Sequence, residues 1–354
     1  MLNSRPQMPD QKTLPSTARL LELIDAMAGQ PVLVVADLVA DRFITGSPKR
    51  ISREAPVLIL RYESETLVPG GGANAVANIA ALGGRPVPLG VVGDDASGAD
   101  LVSALAERGV ETAGILVRPG YRTPTKTRIL GGGKHSIKQQ IVRFDIEDQV
   151  QLTAAERELL LPRVKSSRAA VAVVSDYGYG AAAPGTLALL RDGLGDGARV
   201  LVDSRYRLGE FAGVDGATPN EEEAEALLGR SLGEKASHVT AGGREILDRL
   251  QAKFLLITRG SRGMALFVGG RSAHLPVYGT DQVADVTGAG DTVIGTFSLA
   301  LAAGAEALEA AVLANYAGGI VVMKMGTATV SPAEIRQAVE AAPLKQEAVE
   351  WVEY

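Results

Sequence analysis

Residues 285–297 read Asp285-Val-Thr-Gly-Ala-Gly-Asp291-Thr-Val-Ile-Gly-Thr-Phe297. Small residues stand where a helix begins, and a carboxylate follows one residue later. The first backbone N–H groups of a helix lack intrahelical partners and carry partial positive charge, which suits an anion such as phosphate. Gly288, Ala289 and Gly290 keep bulk away from those amides. Asp291 then lies beside any phosphoryl group held there, placed to accept a proton from an attacking hydroxyl. The spacing predicts a helix over 291–303, ended by Gly304 as its C′ residue. A glycine-rich loop that merely caps a core helix, with Asp291 complementing the dipole, fits the same spacing.

A second segment has the same build: Pro69-Gly-Gly-Gly72-Ala-Asn74-Ala-Val-Ala-Asn78-Ile-Ala-Ala-Leu-Gly-Gly84. A glycine run again opens a helix, here with a small-residue apolar surface. Asn74 in its first turn can hydrogen-bond a polyol, and the amides of Gly71 and Gly72 can meet hydroxyls without steric conflict. A tight strand-to-helix turn with a close-packed helix explains the small residues equally well.

Around these segments, short apolar runs alternate with helical patterns. Strands are expected at 31–36, 87–92, 169–174, 199–202 and 254–258, and helices at 96–108, 154–165, 183–191 and 221–228. Such alternation implies parallel crossovers and a three-layer α/β sheet, with ligands outside the carboxyl ends of its strands. Asp37, Asp176 and Asp203 each follow a strand closely and are expected to line one crevice. Two stretches, 43–61 and 126–144, carry extended runs without helices and read as an antiparallel excursion. Residues 1–16, with three prolines, read as a disordered lead-in, and 344–354 as a short helix or frayed tail.

The chain has 354 residues, is 46% hydrophobic and carries a net charge of −5, which gives ample core and no nucleic-acid surface. The absence of cysteine excludes disulfides and thiolate chemistry. No apolar run reaches the roughly 20 residues that span a bilayer, and no export signal opens the chain, so the expected location is the cytoplasm. Gly131-Gly-Gly-Lys-His-Ser136 fails the P-loop pattern and reads as a hairpin tip. Gly288-Ala-Gly290 also fails the dinucleotide fingerprint, since Val293 stands where the third glycine belongs.

Together, the Gly-Gly-x-x-Asn helix and Asp285-x-Thr-Gly-Ala-Gly-Asp291 resemble the two signatures of the ribokinase-like (PfkB) family of carbohydrate kinases. The likeness runs from about Val32 to about Ala341. It implies a ribokinase-like three-layer α/β/α sandwich with a mostly parallel central sheet and a small β-stranded lid, one kinase domain over 17–343. Within the family, 50–57, 175–177, 218–223 and 324–332 are most similar to kinases acting on D-glycero-D-manno-heptose 7-phosphate. No region resembles the nucleotidylyltransferase fused to such kinases in some bacteria, which implies the stand-alone type.

The resemblance implies roles residue by residue. Asp291 is the base, and the Gly288, Ala289 and Gly290 amides steady the transferring phosphoryl group of ATP. Asp37, Gly71, Gly72, Asn74 and Asp176 face the sugar. Asn220 and Glu223 organise Mg²⁺ through water, although the same pair also reads as a helix capping box. Thr258, Arg259, Gly260, Thr287 and Asn315 border the nucleotide. Lid cations, with Lys126 and Arg143 foremost, meet a sugar phosphate, and the lid is a homodimer contact. Two lysines usual in the heptose kinases are replaced here, by Tyr179 and Arg205. Arg205 can still hold phosphate. Other sugars or nucleosides (ribose, fructose, adenosine), and a non-catalytic sugar- or nucleotide-binding regulator, remain as rival readings.

Overall fold

The computed structural model describes residues 13–133, 138–279 and 284–354. Its elements begin with α1 (Thr17–Ala26), β1 (Pro31–Ala36), β2 (Leu38–Ile51), β3 (Leu58–Gly71), α2 (Gly72–Ala81), β4 (Arg85–Gly93) and α3 (Ala96–Ala106). Next come β5 (Ile115–Arg118), β6 (Thr125–Gly131), β7 (Gln139–Ile146), α4 (Ala154–Ser167), β8 (Val171–Asp176), α5 (Thr186–Gly193) and β9 (Arg199–Ser204). The chain continues through β10 (Gly216–Ala217), α6 (Glu221–Leu228), α7 (Ala236–Leu250), β11 (Phe254–Thr258), β12 (Met264–Val268) and β13 (Arg271–Leu275). It closes with α8 (Ala289–Ala302), α9 (Ala307–Val321), α10 (Pro332–Ala341) and β14 (Glu350–Glu353).

Ten strands form one sheet in the order β14-β13-β12-β11-β10-β9-β8-β1-β4-β5. Pairing is parallel from β11 to β5 and antiparallel from β11 to β14. Central strands such as β1 are apolar throughout because helices cover both faces. One core cluster joins α1, α2, α8 and α9 to one face; the other lies beneath α4, α5 and α7. The architecture is the expected α/β sandwich.

A second sheet, in the order β3-β2-β6-β7, forms the lid. The expectation of a purely antiparallel excursion is corrected here. The outer pairs β2–β3 and β6–β7 are antiparallel, but the central pair β2–β6 is parallel, Ala40 opposite Thr125 through Gly46 opposite Gly131. Both central strands leave the rim of the large sheet in one direction, and that fixes their sense. The lid is also longer than expected, since β3 runs without a break into the glycines that open α2.

The tail is corrected too. It carries a short 3-10 turn at Gln346–Ala348 and then folds as edge strand β14 against β13 rather than fraying. Most of the expected lead-in, residues 1–12, and half of the hairpin tip, 134–136, lie outside the described residues. Of the rest of the lead-in, Leu14 donates to Gln346 Oε1 (2.8 Å) and Ser16 caps α1. No described helix is long and apolar enough to cross a membrane.

Candidate active site

The carboxyl ends of β1, β8 and β9 open on one rim, and α8 begins across from it. Gly288 caps α8 in the left-handed region (φ +78°), and a Cβ there would overlap the Asn74 amide nitrogen. Asp285 fixes the approach: its carboxylate accepts from the amides of Thr287 (2.9 Å) and Gly326 (3.1 Å). Burial raises the Asp285 pKa, but these bonds outweigh it and hold the group below its ordinary value. The Ala289 amide bonds Val286 O, so Ala289 is removed from the expected set of free donors. The amides of Gly290 and Asp291 have no acceptor among the described residues, and a Cβ at Gly290 would meet open space.

Asp291 is 2% exposed. Its Oδ2 accepts from Asn74 Nδ2 (2.9 Å) and its Oδ1 from the Tyr177 hydroxyl (2.8 Å). Burial pushes its pKa up to about 7, against the pull of those two donors. α2 and α8 pack closely enough for Thr292 Oγ1 to reach Asn78 Oδ1 (3.0 Å). The two glycine-opened helices therefore meet at Asp291.

Several expected ligand contacts turn out to be bonds within the protein. Asp37 accepts from the amides of Tyr177 (3.0 Å), Tyr179 (2.8 Å) and Ala182 (3.0 Å), so it anchors the turn after β8 rather than offering a free carboxylate to sugar. The Gly72 amide bonds Asp37 O (3.1 Å), and Gly71 pairs with Leu38 in the lid ladder. Asp176 accepts from Ser204 Oγ (2.6 Å) and ion-pairs with Arg207. Arg259 commits its guanidinium to Glu221 (3.3 Å) and Gly233 O (3.0 Å). Asn315 is buried and donates to Pro276 O (2.8 Å), tying α9 to the segment after β13. Thr258 bonds Pro219 O through its amide, and Gly260 (φ +55°) turns the chain from β11 into β12, the hairpin expected there.

Asn220 and Glu223 form the reciprocal capping box: each backbone N–H is bonded by the other's side chain at 2.9 Å. Asp203, at the end of β9, faces this cap. Burial, then the Glu223 and Asp291 charges, raise the Asp203 carboxyl well above its ordinary value. Burial also raises Glu223. Two carboxylates that resist ionising together form a donor set a cation would relieve.

On the lid, Arg128 pairs with Asp41 (2.6 Å), Lys138 with Glu63 (2.7 Å) and Arg143 with Asp145. Lys126 pairs with no carboxylate among the described residues, and its Nζ lies 5.4 Å from the centre of the Tyr177 ring. Burial lowers its pKa; Asp41 opposes this, while the Arg143 and Arg205 charges add to it. The charges of Arg143 and Arg205 are thus near enough to act on Lys126. Arg205 itself stacks on Tyr206 and is exposed. The Tyr177 contact escaped sequence reasoning, although Ser175-Asp-Tyr177 stood out as a motif.

An open helix start, a buried carboxyl group with a pKa near neutrality and lid cations are features a phosphotransferase with an alcohol acceptor would use. The chain belongs to the pfkB family of carbohydrate kinases, whose model matches residues 32–334. A relative named bifunctional protein HldE from Mesorhizobium japonicum is 39% identical over 334 residues, 92% of this chain and 65% of that one. Its namesake from Azotobacter vinelandii is 42% identical over 316 residues, 88% of this chain and 64% of that one. The chain thus spans slightly under two thirds of these relatives. Among solved structures, Arabidopsis thaliana ribokinase complexed with ribose and ATP superposes with TM-score 0.70 at 20% identity, covering 88% of this chain and 99% of that one. Escherichia coli phosphofructokinase-2 gives 0.69 at 21%, with the same coverage. At such identities the likeness establishes the fold.

Proposed function

We propose that the chain transfers the γ-phosphoryl group of ATP to O1 of D-glycero-D-manno-heptose 7-phosphate, a step in building ADP-heptose for lipopolysaccharide. The observation that carries the chemistry is Asp291, buried at the start of α8 beside the amides of Gly290 and Asp291, which bond no acceptor among the described residues. A carboxylate with a pKa near 7 matches a general base working at neutral pH. The sugar O–H bond breaks, its oxygen bonds the γ-phosphorus, the bond from that phosphorus to ADP breaks, and Asp291 keeps the proton. The free amides face the charge that builds on the transferring group.

The phosphate on the substrate is supported by Lys126, which pairs with no carboxylate among the described residues and feels the charges of Arg143 and Arg205. Asn74 orients the base as well as facing the sugar. Asp203, with Asn220 and Glu223, fits Mg²⁺ held largely through its own waters, since two mutually repelling carboxylates gain from a cation between them. Bound there, Mg²⁺ would neutralise phosphate charge. Exposed Tyr62, Ile141, Val142 and Phe144 give the lid an apolar surface fit for a second copy, which sedimentation would register as a doubled mass.

Asp291→Asn tests the reading. Turnover, followed as ADP release, is expected to fall by about 10²–10⁴-fold while sugar binding persists. Near-normal turnover removes Asp291 from the mechanism. Running phosphorylated and free heptoses beside ribose, fructose and adenosine settles the substrate, and sugar binding with no ADP release from the unmodified protein would favour a regulator.

A further inference from the structure

Tyr177 has no part in the reaction as written above, yet three contacts converge on it. It follows β8 at the rim of the large sheet, where its amide is fixed on Asp37 Oδ2 (3.0 Å). Its hydroxyl donates to Asp291 Oδ1 (2.8 Å), across the carboxylate from Asn74 on Oδ2 (2.9 Å). Its ring carries Lys126 of lid strand β6, with Nζ 5.4 Å from the centroid.

We propose that Tyr177 is a positioning residue: its hydroxyl sets the plane of the Asp291 carboxylate against the incoming sugar hydroxyl, and its ring links that setting to the lid through Lys126. The inference rests on Asp291 being the base of the kinase.

A carboxylate held by one donor can still turn about its Cβ–Cγ bond, whereas a second donor on the other oxygen fixes the plane. Each carboxylate oxygen offers about two acceptor positions, so Oδ1 can hold Tyr177 and still receive the sugar proton. A displacement of about 1 Å at a reacting group costs on the order of 100-fold in rate, so fixing that plane matters. Burial beside Asp291 keeps the phenol protonated, with its pKa well above the ordinary value, so it remains a donor. The charged and titratable groups facing Asp291 are Tyr177 after β8, Asp41 on β2, Lys126 on β6 and Asp203 on β9, with the neutral Asn74 on α2. Of these, Tyr177 and Asn74 alone bond the carboxylate among the described residues.

The test is Tyr177→Phe in the full chain, assayed with ATP and the best sugar of the substrate panel. The expected result is kcat lower by about ten- to a hundredfold, with KM for ATP within about twofold. The acid limb of kcat moves to higher pH, because a donor that favoured the ionised carboxylate is gone. Unchanged kcat and an unmoved limb overturn the proposal. Full turnover in Asp291→Asn, by contrast, removes the base on which this proposal rests, and sugar binding without ADP release from the unmodified protein sinks the kinase reading itself. If Tyr177→Phe unfolds, 3-fluorotyrosine at position 177 keeps the shape with a more acidic phenol. The limb then moves to lower pH, and an unmoved limb again overturns the proposal.

Discussion

The starts of α2 and α8 are built from the same residues, glycines before a small-residue helix, and the fold uses them in opposite ways. At α2 the glycines allow close packing. The Gly72 amide is bonded to Asp37 O, and a Cβ there would stand 2.6 Å from the Ala36 Cβ. At α8 the left-handed Gly288 turns the chain so that the Gly290 and Asp291 amides find no acceptor among the described residues, and a Cβ on Gly290 would touch nothing. One helix end is filled by its own protein; the other keeps amides without acceptors among the described residues. Sequence pattern reports where a helix can begin without bulk, whereas the neighbouring strands decide whether its donors stay available.

The comparison can be broken most forcefully at Gly288. Gly288→Ala forces an L side chain into φ +78° and into Asn74, one of the two donors on Asp291. We expect kcat to fall by about a hundredfold or more. Activity within twofold of the parent would mean that the geometry of this turn is unimportant.

A pH profile sharpens the contrast from the other side, because α8 carries a titrating group in its first turn. With the Asp291 pKa raised to about 7, kcat is expected to drop about tenfold per pH unit below neutrality. The raised pKa also costs stability. The folded protein binds a proton on Asp291 between the ordinary carboxylate range and about pH 7 that the unfolded chain has released, so this contribution weakens as pH rises through that window. Asp291→Asn should therefore raise the melting temperature more at pH 8 than at pH 5. An equal gain at both would show that the carboxylate is not strained by burial.

The smallest effect is expected at α2. Gly72→Ala overpacks the turn and should cost about 1–3 kcal/mol of stability. Its kcat per folded molecule should stay within about twofold. A large loss of kcat without loss of stability would place the Gly72 amide in the sugar site after all.

Much of the fold was legible because hydrophobic period and helix punctuation are local. β1 and β11 fall where apolar runs of five or six residues stand, and α6 begins at its Asn220–Glu223 box. β10, two residues long, has no period to detect, and β14 depends on a partner edge far along the chain. The direction of the lid's central pair follows from where both strands leave the large sheet, which no local pattern encodes. At the site, Asp291 and Asn74 were legible as motif residues. Tyr177 was not, because its contact joins positions 114 residues apart. Asp37 and Arg259 fit their motifs, but which partner takes their charge depends on backbone amides and carbonyls brought close by folding.

Amide NMR on the ¹⁵N-labelled protein, titrated with a non-hydrolysable ATP analogue and Mg²⁺, reads both helix starts at once. The Gly290 and Asp291 amides should shift strongly as they gain phosphate oxygens as acceptors, while the Gly72 amide, already bonded to Asp37, stays nearly still. A saturating titration in which Gly72 moves and Gly290 and Asp291 do not would contradict the assignment of α8 as the phosphoryl cradle.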